Sequence, residues 1–141
     1  MIVKTTWNRG RKFTAVGDSG FEVNMDATPA YGGLGEGATP TEMLLASLAG
    51  CIGIDATMVL NRQLENITHL EIETEGIREE EPPKAFTSIN VTFHITGEVK
   101  ASRIWRAIEL SEEKYCTVSN SLSATITYDV VLNGEKLDRE I

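Results

Sequence analysis

Hydrophobic and polar positions alternate over the first 26 residues with the two-residue period of β-strands. Val3, Thr5 and Trp7 alternate with Ile2, Lys4 and Thr6, and Asn8-Arg9-Gly10 reads as a turn. A second strand, Lys12 to Val16, ends at the turn cluster Gly17-Asp18-Ser19-Gly20. Phe21, Val23 and Met25 then alternate with Glu22, Asn24 and Asp26, the pattern of a half-buried strand. From Ala27 to Ala38 the chain carries Pro29, Gly32, Gly33, Gly35 and Gly37. Neither GxxxxGK[ST] nor GxGxxG is present, so a mobile connection is expected there rather than a phosphate cradle.

The period changes at Thr39. Thr39-Pro40-Thr41-Glu42 has the form of a capping box, with proline at the first helical position and glutamate three residues after the threonine. A long helix to Asn61 follows, in which Leu44, Leu48, Cys51, Asp55, Met58 and Val59 share one face. Ala46, Ser47, Ala49, Gly50 and Gly53 are small enough to admit another backbone. Beyond it, Leu70, Ile72 and Thr74 alternate with Glu71, Glu73 and Glu75, a strand with one acidic face. Glu79-Glu80-Glu81 reads as a solvated turn, Pro82-Pro83 reverses the chain, and Phe86 to Gly97 forms the next strand, with Ile89, Val91, Phe93 and Ile95 on one side. A second helix covers Ala101 to Cys116, with Ile104, Trp105, Ile108, Ser111 and Tyr115 in its apolar stripe. Thr117 to Ser121 is a polar connection, Ala124 to Leu132 a last strand, and Asn133-Gly134 a turn before a charged tail.

The resulting order, βββ-α-ββ-α-β, predicts an α+β fold with antiparallel pairing. A length of 141 residues fits one domain, 1–141, with no repeat or linker. The first helix is apolar or small on nearly every side, more than one sheet in a small monomer would cover. A homodimer in which this helix meets its symmetry mate is the economical arrangement.

Composition narrows the function classes. A hydrophobic content of 41% and a charged content of 24% are those of a soluble globular chain. The net charge of −8 argues against nucleic acid or an anionic membrane as partner. The N-terminus lacks the apolar stretch of a signal peptide, and no apolar run reads as long enough to span a bilayer. A cytoplasmic location is expected, where Cys51 and Cys116 would be buried hydrophobes or redox groups rather than a structural disulfide.

Burial is the ordinary fate of a free cysteine. Against it, glycines flank Cys51, and Asp55 lies one turn on along a mainly apolar face, where a carboxylate needs a partner or water. Cys116, at a helix end beside a Ser/Thr/Asn-rich turn, reads as a mobile thiol. The two suit an attacking and resolving pair. His69 and His94 stand in strands, with no CxxC or HxxxH spacing, so they read as solvated; neither a metal nor a cofactor is expected. No GxSxG elbow is present. Trp105 and Tyr115 read as core.

The stretch ATPTEMLLASLAGCIGIDA, followed downstream by AIELSEEKYCTVSNSL, resembles the OsmC/Ohr family of thiol-dependent peroxidases, in its Pro-x-Glu branch. The likeness covers nearly the whole chain. It implies an intertwined homodimer with antiparallel sheets wrapped around two central cysteine-bearing helices, and active sites at the subunit interface. Cys51 would then be the peroxidatic cysteine and Cys116 the resolving one, with an organic hydroperoxide as substrate and an external dithiol as reductant. The family also implies an N-terminal arginine that lowers the thiol pKa, here Arg11 or Arg9, held by a glutamate at the start of the cysteine helix. The peroxidases place that glutamate directly after the proline. Here Thr41 stands there and Glu42 follows it, about 100° further round the helix. A non-catalytic small-ligand-binding or redox-sensing member of the family is the alternative.

Overall fold

The computed structural model describes residues 1–139; Glu140 and Ile141 lie outside it. The chain forms two compact units, Met1–Leu44 and the remainder from Leu45.

In the first unit, β1 (Lys4–Arg9), β2 (Lys12–Val16) and β3 (Glu22–Met25) form an antiparallel meander in chain order. Trp7 pairs with Phe13 and Phe13 with Met25, while Thr5, Ala15 and Val23 make a parallel row, so the alternation read from the sequence becomes two cross-strand ladders. The glycine-rich stretch is not the mobile connection its composition predicts. Asp26, buried, accepts hydrogen bonds from the backbone N–H of Ala27 at Oδ1 (2.8 Å) and from Leu34 (3.1 Å) and Glu36 (3.2 Å) at Oδ2. One carboxylate thus satisfies the donors of three residues in a loop that has no ladder of its own. Burial pushes the Asp26 carboxyl up, but these three N–H groups and the Lys12 ammonium together hold it below its usual range. Gly33 fits because a Cβ there would overlap the Ala27 carbonyl. Arg9 pairs with both oxygens of Glu36, at 2.7 and 2.9 Å, and Lys12 reaches the same carboxylate at 3.4 Å.

The capping box closes as the sequence predicts. Glu42 N–H donates to Thr39 Oγ1 (3.3 Å), and Thr39 N–H donates to Glu42 Oε2 (3.0 Å). The helix it starts, α1, spans Pro40–Val59. By length and composition this one helix could cross a bilayer, contrary to the expectation from the sequence, because its alanines and glycines interrupt the apolar pattern without making it polar. Its buried stripe is Leu48, Ile52 and Ala56, packed into the core of the second unit.

That unit is a four-stranded sheet in the order β4-β5-β6-β7, made of β4 (Ile67–Arg78), β5 (Phe86–Gly97), β6 (Thr125–Leu132) and β7 (Glu135–Leu137). β4 and β5 form a long antiparallel hairpin in which Glu71, Glu73 and Glu75 oppose His94, Thr92 and Asn90 on the polar face. On the other face Ile89, Val91, Phe93 and Ile95 bury against Ile104, Trp105, Ala107 and Ile108 of α2 (Ala101–Leu110), with Tyr128 and Val130 of β6. Each large aliphatic or aromatic side chain so buried contributes roughly 1.5–3 kcal/mol.

The mixed α+β architecture stands as expected, with differences of detail. β5 and β6 run parallel, not antiparallel, because α2 carries the chain back along the sheet between them. The charged segment after Asn133-Gly134 holds β7, a short edge strand whose polar residues hid it. His69 is exposed, whereas His94 is half-buried with Nε2 3.9 Å from Glu73. Trp105 is core, but Tyr115 is 56% exposed, and on α1 Met58 and Val59 face outward.

Candidate active site

The second helix does not run unbroken to Cys116. After α2, Ser111–Tyr115 forms a turn of π-helix, closed by Cys116 N–H donating to the Ser111 carbonyl at 2.9 Å. The extra residue of such a turn changes the direction in which following side chains point. Cys116 becomes the N-cap of a short helix, α3 (Thr117–Asn120), and its Sγ accepts the backbone N–H of Ser119 at 3.3 Å. The Cys116 carbonyl accepts hydrogen bonds from Asn120 Nδ2 (2.8 Å) and Ser119 Oγ (3.2 Å). The polar residues that read as a mobile connection therefore fix this cysteine, which is only 1% exposed.

Cys51, half-buried, faces it from the middle of α1. The Cys51 and Cys116 sulfurs and an Asp55 carboxylate oxygen all lie within 4.8 Å of one another. Both cysteines are free thiols. The spacing of 65 residues between them gave no sign of contact; the π turn and the α1 register create it. Asp55 finds the partner its apolar setting requires in Ser111 Oγ, which donates to Oδ2 at 2.8 Å.

The electrostatics of this cluster oppose ionisation of Cys51. Burial pushes its thiol up, Cys116 adds to the shift, and the Asp55 carboxylate adds again; the Val118 backbone N–H pulls the other way. None of these groups is a cation. Tyr128, on β6 beyond Cys116, is pushed up to about 12 by burial and by the charges of Glu112 and Cys116, so it stays a neutral phenol. Beside the cluster, Asp55, Met58, Val59 and Tyr115 line a cavity of 400 Å³ whose walls are mainly apolar.

The other residues singled out in the sequence lie in the first unit. Arg11 stands in the β1–β2 turn, where its guanidinium is 3.4 Å from the Gly10 carbonyl, and it lines a cavity with Thr5, Phe13, Met25, Asp26 and Pro40. Arg9 is held by Glu36 instead. Glu42 is engaged in the capping box. Sequence reasoning missed Ser111, the Val118 and Ser119 backbone donors, and Tyr128. Only Ser111 left a trace: a hydroxyl placed in an otherwise apolar stripe.

Residues 33–131, which include all three members of the cluster, match the OsmC family, described as OsmC-like protein. The chain belongs to that family. It is 34% identical over 137 residues to Protein YhfA of Escherichia coli strain K12, covering 93% of this chain and 98% of that one. A crystal structure of a hypothetical protein from Aquifex aeolicus VF5 is similar at 25% identity, with a TM-score of 0.75 over 94% of this chain and 96% of the other. An organic hydroperoxide resistance protein OsmC from Legionella pneumophila shares the fold at 18% identity, with a TM-score of 0.60 over 93% and 94% of the two chains. Within this OsmC-like chain, two free thiols and a carboxylate are thus held within reach of one another.

Proposed function

We propose that this protein reduces organic hydroperoxides with Cys51 as the peroxidatic and Cys116 as the resolving cysteine. The observation that carries the reading is the approach of the two sulfurs to within 4.8 Å in an OsmC-like chain. The Cys51 thiolate attacks the terminal peroxide oxygen; the O–O bond breaks, the alkoxide takes up a proton and leaves as the alcohol, and Cys51 is left as a sulfenic acid. The Cys116 sulfur then attacks the Cys51 sulfur, an S–S bond forms and water leaves. An external dithiol reduces the disulfide by exchange and is itself oxidised. A disulfide needs the sulfurs about 2.05 Å apart, so closure requires side-chain rotation and a small movement of α3.

A thiol pushed up by burial, by Cys116 and by Asp55, with only the Val118 N–H against them, needs a cation to react at neutral pH. Arg11, which unlike Arg9 has no carboxylate partner among the described residues, is proposed for that role. Glu42 would anchor it only by leaving the capping box that now holds it. The mainly apolar cavity beside Asp55 suits the organic part of the hydroperoxide. A cytoplasmic site, where low-molecular-weight and protein dithiols are reduced, completes the proposal.

With a dithiol present, cumene hydroperoxide is expected to be consumed faster than hydrogen peroxide. Cys51→Ser should abolish turnover, Cys116→Ser should leave one equivalent reduced and a sulfenic acid that dimedone traps, and Arg11→Ala should lower kcat/KM at least 10-fold. Persistent turnover in Cys51→Ser overturns the mechanism. The cation-free surroundings of Cys51 favour a second reading, a redox sensor without turnover. It predicts slow, stoichiometric disulfide formation and no sustained peroxide consumption.

A further inference from the structure

Cys51, Cys116 and Asp55 bring three groups that can each carry a negative charge to one place, and the neighbours of the cluster are neutral donors: the Ser111 hydroxyl and the backbone N–H groups of Val118 and Ser119. Two thiols and a carboxylate are a ligand set for a soft or borderline cation; a hard ion such as Mg²⁺ or Ca²⁺ takes oxygen ligands throughout. We propose that the reduced protein binds one zinc ion through Cys51 Sγ, Cys116 Sγ and a carboxylate oxygen of Asp55.

A tetrahedral zinc site with Zn–S near 2.3 Å and Zn–O near 2.0–2.2 Å places its ligand atoms about 3.5–3.8 Å apart. The three atoms lie within 4.8 Å of one another, so side-chain adjustments of up to about 1.3 Å close the site, less than the sulfurs need to reach bonding distance in a disulfide. The surrounding hydrogen bonds already suit a metal. Ser111 Oγ donates to Oδ2 of Asp55 and so holds the carboxylate in place beside the thiols. Ser119 N–H points at the Cys116 sulfur, as backbone donors do toward metal-bound thiolates. Cys116 is buried, whereas Cys51 and Asp55 are half-exposed and Asp55 borders the 400 Å³ cavity. The ion therefore has an entry path, and its fourth position is left to water or a small ligand.

Binding is redox-neutral: two S–H bonds break, two Zn–S bonds form, and two protons go to the buffer. The same two sulfurs cannot hold zinc and form a disulfide, so oxidation must release the ion. This inference rests on the cluster itself and does not require that the protein turn over hydroperoxides.

The test is titration of the reduced, metal-free protein with Zn²⁺ against a chromophoric chelator, paired with Co²⁺ substitution. One ion per chain is expected, with a thiolate-to-cobalt charge-transfer band. Cys51→Ser and Cys116→Ser should each weaken binding at least 100-fold and diminish that band; Asp55→Asn should weaken it about 10–100-fold and leave the band in place. Protein oxidised with diamide to the Cys51–Cys116 disulfide should bind no zinc at this site. Circular dichroism confirms that each variant is folded. Zinc retained by the disulfide form, or bound equally well by the double variant Cys51→Ser/Cys116→Ser, overturns the proposal. Because the readouts are stoichiometry and a spectrum, a protein inert toward hydroperoxides that passes them upholds zinc binding alone, and an active peroxidase that fails them loses only this inference.

Discussion

At the scale of single residues, one carboxylate ties both ends of the glycine-rich stretch of the first unit together. Asp26 accepts three backbone N–H groups, and its folded-state pKa lies below that of an exposed aspartate. A carboxyl depressed by folding contributes stability that is complete above its unfolded value near 3.9 and lost as the pH falls through the lower folded value. The Leu34 and Glu36 amides should therefore show hydrogen-exchange protection, corrected for intrinsic rates, that is constant at neutral pH and declines below about pH 4. Asp26→Asn, with one acceptor oxygen in place of two, should lose that protection at every pH and with it the decline. Equal protection in both proteins at neutral pH would show that the glycines alone order the loop. Composition pointed the other way because Asp26 closes an alternating strand pattern and looks like its last polar residue; its burial depends on where the chain goes next. The same limit applies to the thiols. That Asp55 needs a partner could be argued from its apolar neighbours, but that the partner is Ser111, 56 residues away, could not.

At the scale of elements, the start of α1 was more legible than the course of the second helix. The capping box at Thr39–Glu42 is a local device, since four consecutive residues contain both of its hydrogen bonds, and it forms as read. The π turn is not local in this sense. Ser111–Tyr115 continues the three- and four-residue periodicity of α2, and its extra residue shows only once the backbone pairing is known. That residue directs Cys116 toward α1, which yields a sharp expectation. Deleting the exposed Glu113 should return the turn to α-helical pitch, where one residue corresponds to about 100° of rotation, and carry Cys116 out of line with Cys51. The folded variant should form the Cys51–Cys116 disulfide with diamide at least 10-fold more slowly than the parent, while both form it at similar rates in denaturant. Similar rates in the folded proteins would mean that the position of Cys116 is set by α3 and not by the π turn. Parallel pairing of β5 with β6 was equally hidden: alternation places residues on faces, and strand direction depends on what the connection between strands has to cover.

At the scale of the whole molecule, the surplus of apolar surface on α1 is the feature that sequence and structure share. The helix buries Leu48, Ile52 and Ala56, yet Gly50, Ile54 and Met58 follow one another along its exposed side, Ile54 at 64% and Met58 at 71%. The sequence assigned Met58 to the wrong face because a helix apolar on several sides has no phase to read. Its conclusion about burial survives the error: a single chain leaves this stripe uncovered. We take the stripe as the seam of a homodimer, the arrangement the family resemblance implies. Gly50 separates this from ordinary surface exposure. Apart from the adjoining backbone of its own helix and its chain neighbours, nothing lies within 4 Å of a Cβ built there, so in a monomer Gly50→Ala should stabilise the helix by up to about 1 kcal/mol. If a symmetry-related helix packs on Gly50, the added methyl falls at the closest approach of two backbones and should weaken the dimer instead. Light scattering coupled to size exclusion is expected to give twice the 15.5 kDa chain mass for the parent protein, and the single-chain mass for Ile54→Asp at the same concentration. Gly50→Ala should move the dimer–monomer midpoint to higher concentration. A monomeric parent, or a Gly50→Ala protein that is more stable and no less dimeric, would place the seam elsewhere and leave the exposed stripe of α1 as a binding face for another molecule.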